Sequence, residues 1–143
     1  MNATTSPGRD QRTIDLEHLR LLSIFHFVGT GFAVLGLLFL VAHFTFMHAM
    51  LSDPKFFRGA PGSAPPEMFI TIMNVVYTVV GLWMLLSGIL NLASALSLRA
   101  HKHRTFSQVV GVFNCLHIPM GTVLGVFTLI VLSRESVREL YLE

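Results

Sequence analysis

Charge is what this sequence withholds. Residues 21–51, 68–98 and 105–133 contain no Asp, Glu, Lys or Arg, giving uncharged runs of 31, 31 and 29 residues. About 20 apolar residues suffice for a helix to cross the hydrocarbon core of a bilayer. Charged residues make up 13% of the chain, about half the usual share in soluble proteins, against 52% hydrophobic. A soluble chain of 143 residues could not hide three such helices from water, so the composition implies a polytopic membrane protein.

The other scarcities narrow the function. A single cysteine, Cys115, excludes an intramolecular disulfide. A net charge of +2 is too small to suggest a nucleic-acid partner. No acidic or basic side chain lies inside a span, where pumps and coupled carriers place their ionisable groups. A buried Ser–His–Asp arrangement would therefore lack its acid, and no phosphate loop, nucleotide fingerprint or metalloprotease motif is present. The expectation is a protein that is not an enzyme and carries no cofactor.

What is present organises the chain. Residues 1–13, polar and containing Pro and Gly, read as a mobile tail ahead of a single transmembrane helical domain over 14–143. Arg9, Arg12 and Arg20 precede the first run as in a signal peptide, but 31 residues exceed the ~7–15 of a signal's apolar region, and no A-x-A-like cleavage site follows. The run is read as a retained helix. Residues 52–67 hold four of the six prolines and read as a loop, with Pro66 and Glu67 suited to opening the next helix. "RAHKHR", residues 99–104, is a basic turn, and Val137, Leu140 and Tyr141 are spaced for a short interfacial helix.

The expected fold is an all-α bundle of three long transmembrane helices, the last kinked at Pro119, with a re-entrant or short helical hairpin as the alternative. Three crossings place six Lys and Arg on the N-terminal side and four opposite; a hairpin moves Arg134 and Arg138 across and makes the split eight to two. Charge bias thus favours the hairpin. Length opposes it, since each half of the last run measures roughly 21 Å against a ~30 Å core, so three crossings are preferred. Either topology leaves the N-terminus cytoplasmic.

Helical spacing gathers small and polar residues onto faces. In the last run Ser107, Gly111, Asn114, His117, Gly121, Gly125 and Thr128 share one meridian, and Gly121/Gly125 is a Gly-x-x-x-Gly spacing that permits close backbone approach. Thr71, Asn74, Tyr77, Thr78, Gly81, Gly88 and Ala95 group on the second helix, and Ser23, His26, Gly29, Thr30 and Ala33 on the first. Gly121, Gly125, Asn114 and Thr128, then Gly81 and Gly88, are the candidate packing residues. They meet either one another within the chain or a membrane-protein partner or second copy in the bilayer.

Metal chemistry has thinner candidates. His43, Met47 and Met50 stand at i, i+4, i+7, a donor set that suits copper, though Met and His at a helix end more often pack. His26 and His117 enter their runs at depths of about 8 and 18 Å, not level as a bis-histidine haem requires.

Two stretches, "EHLRLLSIFHFV" and "PMGTVLGVFTLIVLSRESVREL", carry a likeness. With Pro119, Gly121, Thr122, Gly125, Phe127, Thr128 and Leu129 in a Pro-x-Gly-Thr-x-x-Gly pattern, the chain resembles small bacterial polytopic inner-membrane proteins to which no activity is attached. The resemblance implies a multi-pass protein of the bacterial cell membrane. The leading expectation is a non-catalytic accessory or structural subunit of a larger membrane assembly, or a homo-oligomer. The alternatives are a small channel or facilitator, with Asn114 and His117 facing a path, and a copper- or haem-binding membrane protein.

Overall fold

The computed structural model describes residues 7–53, 67–117 and 119–142. Among the described residues every regular element is helical: α1 (Pro7–Ser52), α2 (Glu67–Arg99), α3 (Arg104–Asn114), α4 (Met120–Ser133) and α5 (Glu135–Glu139). Pro7 opens α1, where its missing N–H has no intrahelical acceptor to lose. The tail expected over residues 1–13 is therefore helical from Pro7 on. The expected loop, with Pro66, lies outside the described residues except at its ends, where Ser52 closes α1, Asp53 follows and Glu67 opens α2.

α1 and α2 are long and apolar enough to cross a membrane. Their most apolar windows are 6% and 0% buried, so they present apolar side chains outward rather than into a protein core. Such an outward surface is stable where the surrounding medium is itself apolar.

The third uncharged run departs from the preferred reading. It is not one long helix kinked at Pro119 but two short helices, α3 and α4, packed on each other, with a turn at residues 115–117 and Pro119 leading into α4. A reversal frees backbone groups, and several of those described here find partners close by. Cys115 N–H donates to the Gly111 and Val112 carbonyls, both at 3.1 Å, and His117 N–H to the Asn114 carbonyl at 2.9 Å. Thr122 N–H reaches back to the His117 carbonyl at 3.1 Å, and the Thr122 hydroxyl takes the Cys115 carbonyl at 3.0 Å. The two halves are short, 11 residues in α3 and 14 in α4.

The described residues form two compact units, one made of the chain up to Gly31 and from Ser87 on, the other of Phe32–Leu86. In the Phe32–Leu86 unit, a Cβ at Gly36 would stand 3.1 Å from the Met84 methyl, and one at Gly81 3.4 Å from a Leu40 methyl. Its outer faces, including Phe32, Leu35, Leu38, Phe39, Val79 and Leu82, are exposed.

The other unit holds the core. Leu19 and Leu22 of α1, Leu98 of α2, Val131 and Leu132 of α4 and Val137 of α5 are buried together. α5 is the short tail helix expected from the sequence spacing, and Val137 is its buried residue. Arg134 breaks the path between α4 and α5 with an extended backbone (φ −67°, ψ 139°). Its guanidinium pairs with Asp15 at 3.5 Å and lies 3.3 Å from His18 Nδ1, which ties the start of α5 to α1. The Arg104 Nε–H donates to the Leu132 carbonyl at 2.7 Å, supplying a partner to an end-of-helix group that α4 cannot satisfy itself.

Candidate functional site

The densest polar chemistry lies in this unit, where α1, α2, α3 and α4 each contribute one buried side chain to a single network. His26, Asn91, Asn114 and Thr128 are all buried. His26 Nδ1 lies 2.8 Å from Asn91 Oδ1, and His26 Nε2 lies 3.2 Å from Thr128 Oγ1. Asn91 and Asn114 exchange two amide hydrogen bonds, Asn91 Nδ2–H to Asn114 Oδ1 at 3.0 Å and Asn114 Nδ2–H to Asn91 Oδ1 at 2.8 Å. Around them the Ser23 hydroxyl donates to the Ala95 carbonyl at 2.9 Å and the Thr30 hydroxyl to the His26 carbonyl at 3.0 Å.

One contact assigns the protons. Asn91 Nδ2–H donates to the Ser87 carbonyl at 2.9 Å. Flipping the amide would set oxygen against oxygen there, so Asn91 Oδ1 must face His26. Oδ1 only accepts, which makes His26 Nδ1 the protonated nitrogen. In the neutral ring Nε2 is then an acceptor, and the Thr128 hydroxyl divides its one proton between Nε2 and the Leu124 carbonyl 2.7 Å away. The arrangement joins four helices by satisfying its members on one another. Its four members include no acid and no thiol, and the one hydroxyl that meets the imidazole, that of Thr128, is shared with the Leu124 carbonyl.

The sequence-selected residues distribute as follows. Asn114 and Thr128 belong to the network. Gly125 sits where α3 and α4 touch: a Cβ there would lie 2.3 Å from the Gly111 carbonyl oxygen and 2.6 Å from Cys115 Sγ. Gly121 closes the turn, its added Cβ meeting His117 Cβ at 2.4 Å and the Asn114 carbonyl oxygen at 2.6 Å. The Gly-x-x-x-Gly spacing thus serves a hairpin of the chain's own helices. The Gly88 carbonyl accepts a long 3.5 Å bond from the Thr30 hydroxyl. Gly81 belongs to the Phe32–Leu86 unit and is not brought to the network.

Of the metal candidates, His43 stacks on Phe39 and hydrogen-bonds the Tyr77 hydroxyl through Nδ1. His117 packs its ring against Phe113, with centroids 5.4 Å apart. Among the described residues no three His, Cys, Asp or Glu side chains converge as a metal site.

Sequence reasoning placed His26 on a helix face but did not join it to Asn91. The signal was that each polar residue inside an uncharged span needs a partner; which partner depends on how helices far apart in sequence align. Comparison with protein-family models, with curated proteins and with solved structures gives no match for this chain.

Proposed function

We propose that this chain is a non-catalytic integral membrane protein of the bacterial cell membrane, acting as an accessory or structural subunit of a larger membrane assembly or as a homo-oligomer. Two helices cross the bilayer, and α3–α4 enter it as a half-depth hairpin from the N-terminal side. The observation that carries the reading is the closed network of His26, Asn91, Asn114 and Thr128, whose polar groups are spent on each other. What α1 and α2 leave outside is apolar surface, which suits lipid or another membrane helix.

The hairpin topology is supported by the Arg134–Asp15 pair and by the 2.7 Å bond from Arg104 to the Leu132 carbonyl, which hold the start of α1, the α2–α3 turn and the end of α4 together. It gives the eight-to-two split of Lys and Arg, with the N-terminus cytoplasmic. In a Cys115→Ala background, Lys102→Cys and Glu135→Cys are expected to label from the same side of sealed vesicles, and Asp53→Cys from the other. Labelling of Glu135→Cys together with Asp53→Cys would restore three crossings.

Function is tested by purifying the chain from native membranes in mild detergent, with mass spectrometry and an absorption spectrum of the intact particle. Co-migration with a defined complex, or a colourless oligomer of this chain alone, is the expected outcome. A haem band or stoichiometric metal on the isolated chain overturns the reading. So does solute flux in reconstituted vesicles that responds to Asn114→Leu.

A further inference from the structure

We propose that the basic cavity beside the α2–α3 turn seats the phosphate of an anionic phospholipid, with an adjoining apolar groove taking the upper part of one acyl chain. The inference rests on the membrane reading above and deepens it by naming a ligand.

The cavity measures about 410 Å³, and its walls include Lys102, Arg104, Arg138, His101, His103 and Tyr141. Among the described residues no Asp or Glu lines it. Its size falls at the lower end of small-ligand sites, and a cleft lined by one sign of charge concentrates the opposite sign. Arg104 is held at the wall by its 2.7 Å bond to the Leu132 carbonyl, so its guanidinium is positioned before any ligand arrives.

Two further features point to an acceptor-rich occupant. The buried Tyr141 hydroxyl has no hydrogen-bond partner among the described residues, and Tyr141 is one of the residues that line the cavity. His101 and His103 both take positive φ, 50° and 53°, a conformation that non-glycine residues seldom adopt outside turns and functional sites. The turn is held in an unfavoured shape, and it sets His101, Lys102 and His103 around one cavity with Arg104 of α3 and Arg138 of α5.

The groove selects a lipid over a free anion. A second cavity of about 470 Å³ shares His101 with the first and has Leu16, Leu19, Phe27 and Leu98 on its walls, with Arg20 and Arg99 beside them. A phosphate joined to hydrocarbon matches a basic cavity next to an apolar groove; inorganic phosphate uses only the first. The turn follows the end of membrane-length α2, the depth at which head groups lie.

The test uses the full-length chain, purified in mild detergent, stripped of lipid and titrated by native mass spectrometry. The probes are phosphatidylglycerol and phosphatidylcholine with identical acyl chains. Phosphatidylglycerol is expected to bind more tightly, and the exposed-site double variant Lys102→Gln/Arg138→Gln to weaken it about 30-fold, at about fivefold per cation. Phosphatidylcholine binding should not change. Tyr141→Phe, which removes only the hydroxyl, is expected to weaken phosphatidylglycerol binding with an unchanged circular dichroism spectrum.

Equal affinity for the two lipids overturns the site, as does phosphatidylglycerol binding indifferent to the double variant. Inorganic phosphate that binds at micromolar concentration while neither lipid does assigns the cavity to a free anion, again overturning the proposal. Alkaline carbonate extraction separates the two readings: a chain released to the supernatant sinks the membrane reading itself, whereas a membrane-retained chain without lipid preference sinks only the lipid site.

Discussion

Replacing Gly125 by alanine adds one methyl group where α3 and α4 have no room for it. The new Cβ would lie 2.3 Å from the Gly111 carbonyl oxygen and 2.9 Å from the Cys115 backbone nitrogen. Non-bonded heavy atoms settle at about 3.5 Å, so the helices must separate by about 1 Å. These neighbours are backbone and cannot rotate away. Overpacking of this kind costs about 1–3 kcal/mol, while Gly→Ala in a helix interior returns about 1 kcal/mol. Gly31 is the internal control, because a Cβ there meets nothing within 4 Å and only the propensity gain remains. The difference between Gly125→Ala and Gly31→Ala cancels propensity and isolates the overpacking, about 1–3 kcal/mol. Gly111→Ala, whose Cβ meets the Thr128 side chain at 3.1 Å and the Gly125 carbonyl oxygen at 3.3 Å, belongs between them. Reversible unfolding in mixed micelles, followed by circular dichroism, measures all three. If Gly125→Ala matches Gly31→Ala within about 0.5 kcal/mol, a spread the overpacking range does not allow, the two helices do not make this approach and the hairpin packing is refuted.

Three further outcomes are expected. Asn91 is the hub of the polar network, so Asn91→Leu should cost about 2 kcal/mol in the same unfolding assay and Thr128→Val about 0.6, at the average value of an interhelical bond in a bilayer; equal costs would remove Asn91 from the centre. Arg134→Gln leaves the Asp15 carboxylate buried without its counter-charge, and with Arg134 itself 40% exposed the loss is held to about 1–2 kcal/mol. Adding Asp15→Asn should recover most of that loss, and a double variant no more stable than Arg134→Gln would contradict the pairing. Burial pushes the Tyr141 phenol up to about 12, with the Arg104 charge opposing the shift. A raised folded value favours the neutral phenol, so its contribution to stability is complete below pH 10 and is lost as pH rises towards 12. Ultraviolet titration of the Tyr77→Phe variant reads this directly, and phenolate absorbance complete by pH 10 would contradict it.

The sequence by itself determined the class and much of the punctuation. Three runs without a charge, each longer than a bilayer is thick, leave few arrangements other than apolar helices. The basic turn at 99–104, the short helix around Val137 and the local faces that join Gly111 to Asn114 and Gly125 to Thr128 followed from spacing, because helical periodicity is local.

What the tertiary structure decided was how the third run uses those faces. The same small and polar residues serve equally on one straight helix or on a helix folded back upon itself. Pro119 marks the break without setting its angle. The choice rests on contacts distant in sequence: Gly125 against Gly111, Asn114 against Asn91, Arg104 on the Leu132 carbonyl and Arg134 on Asp15. The pairing of His26 with Asn91 was hidden for the same reason. An apolar run states that its polar residues need partners, but the partner is fixed by the relative depth and rotation of two helices, and no single helix encodes that.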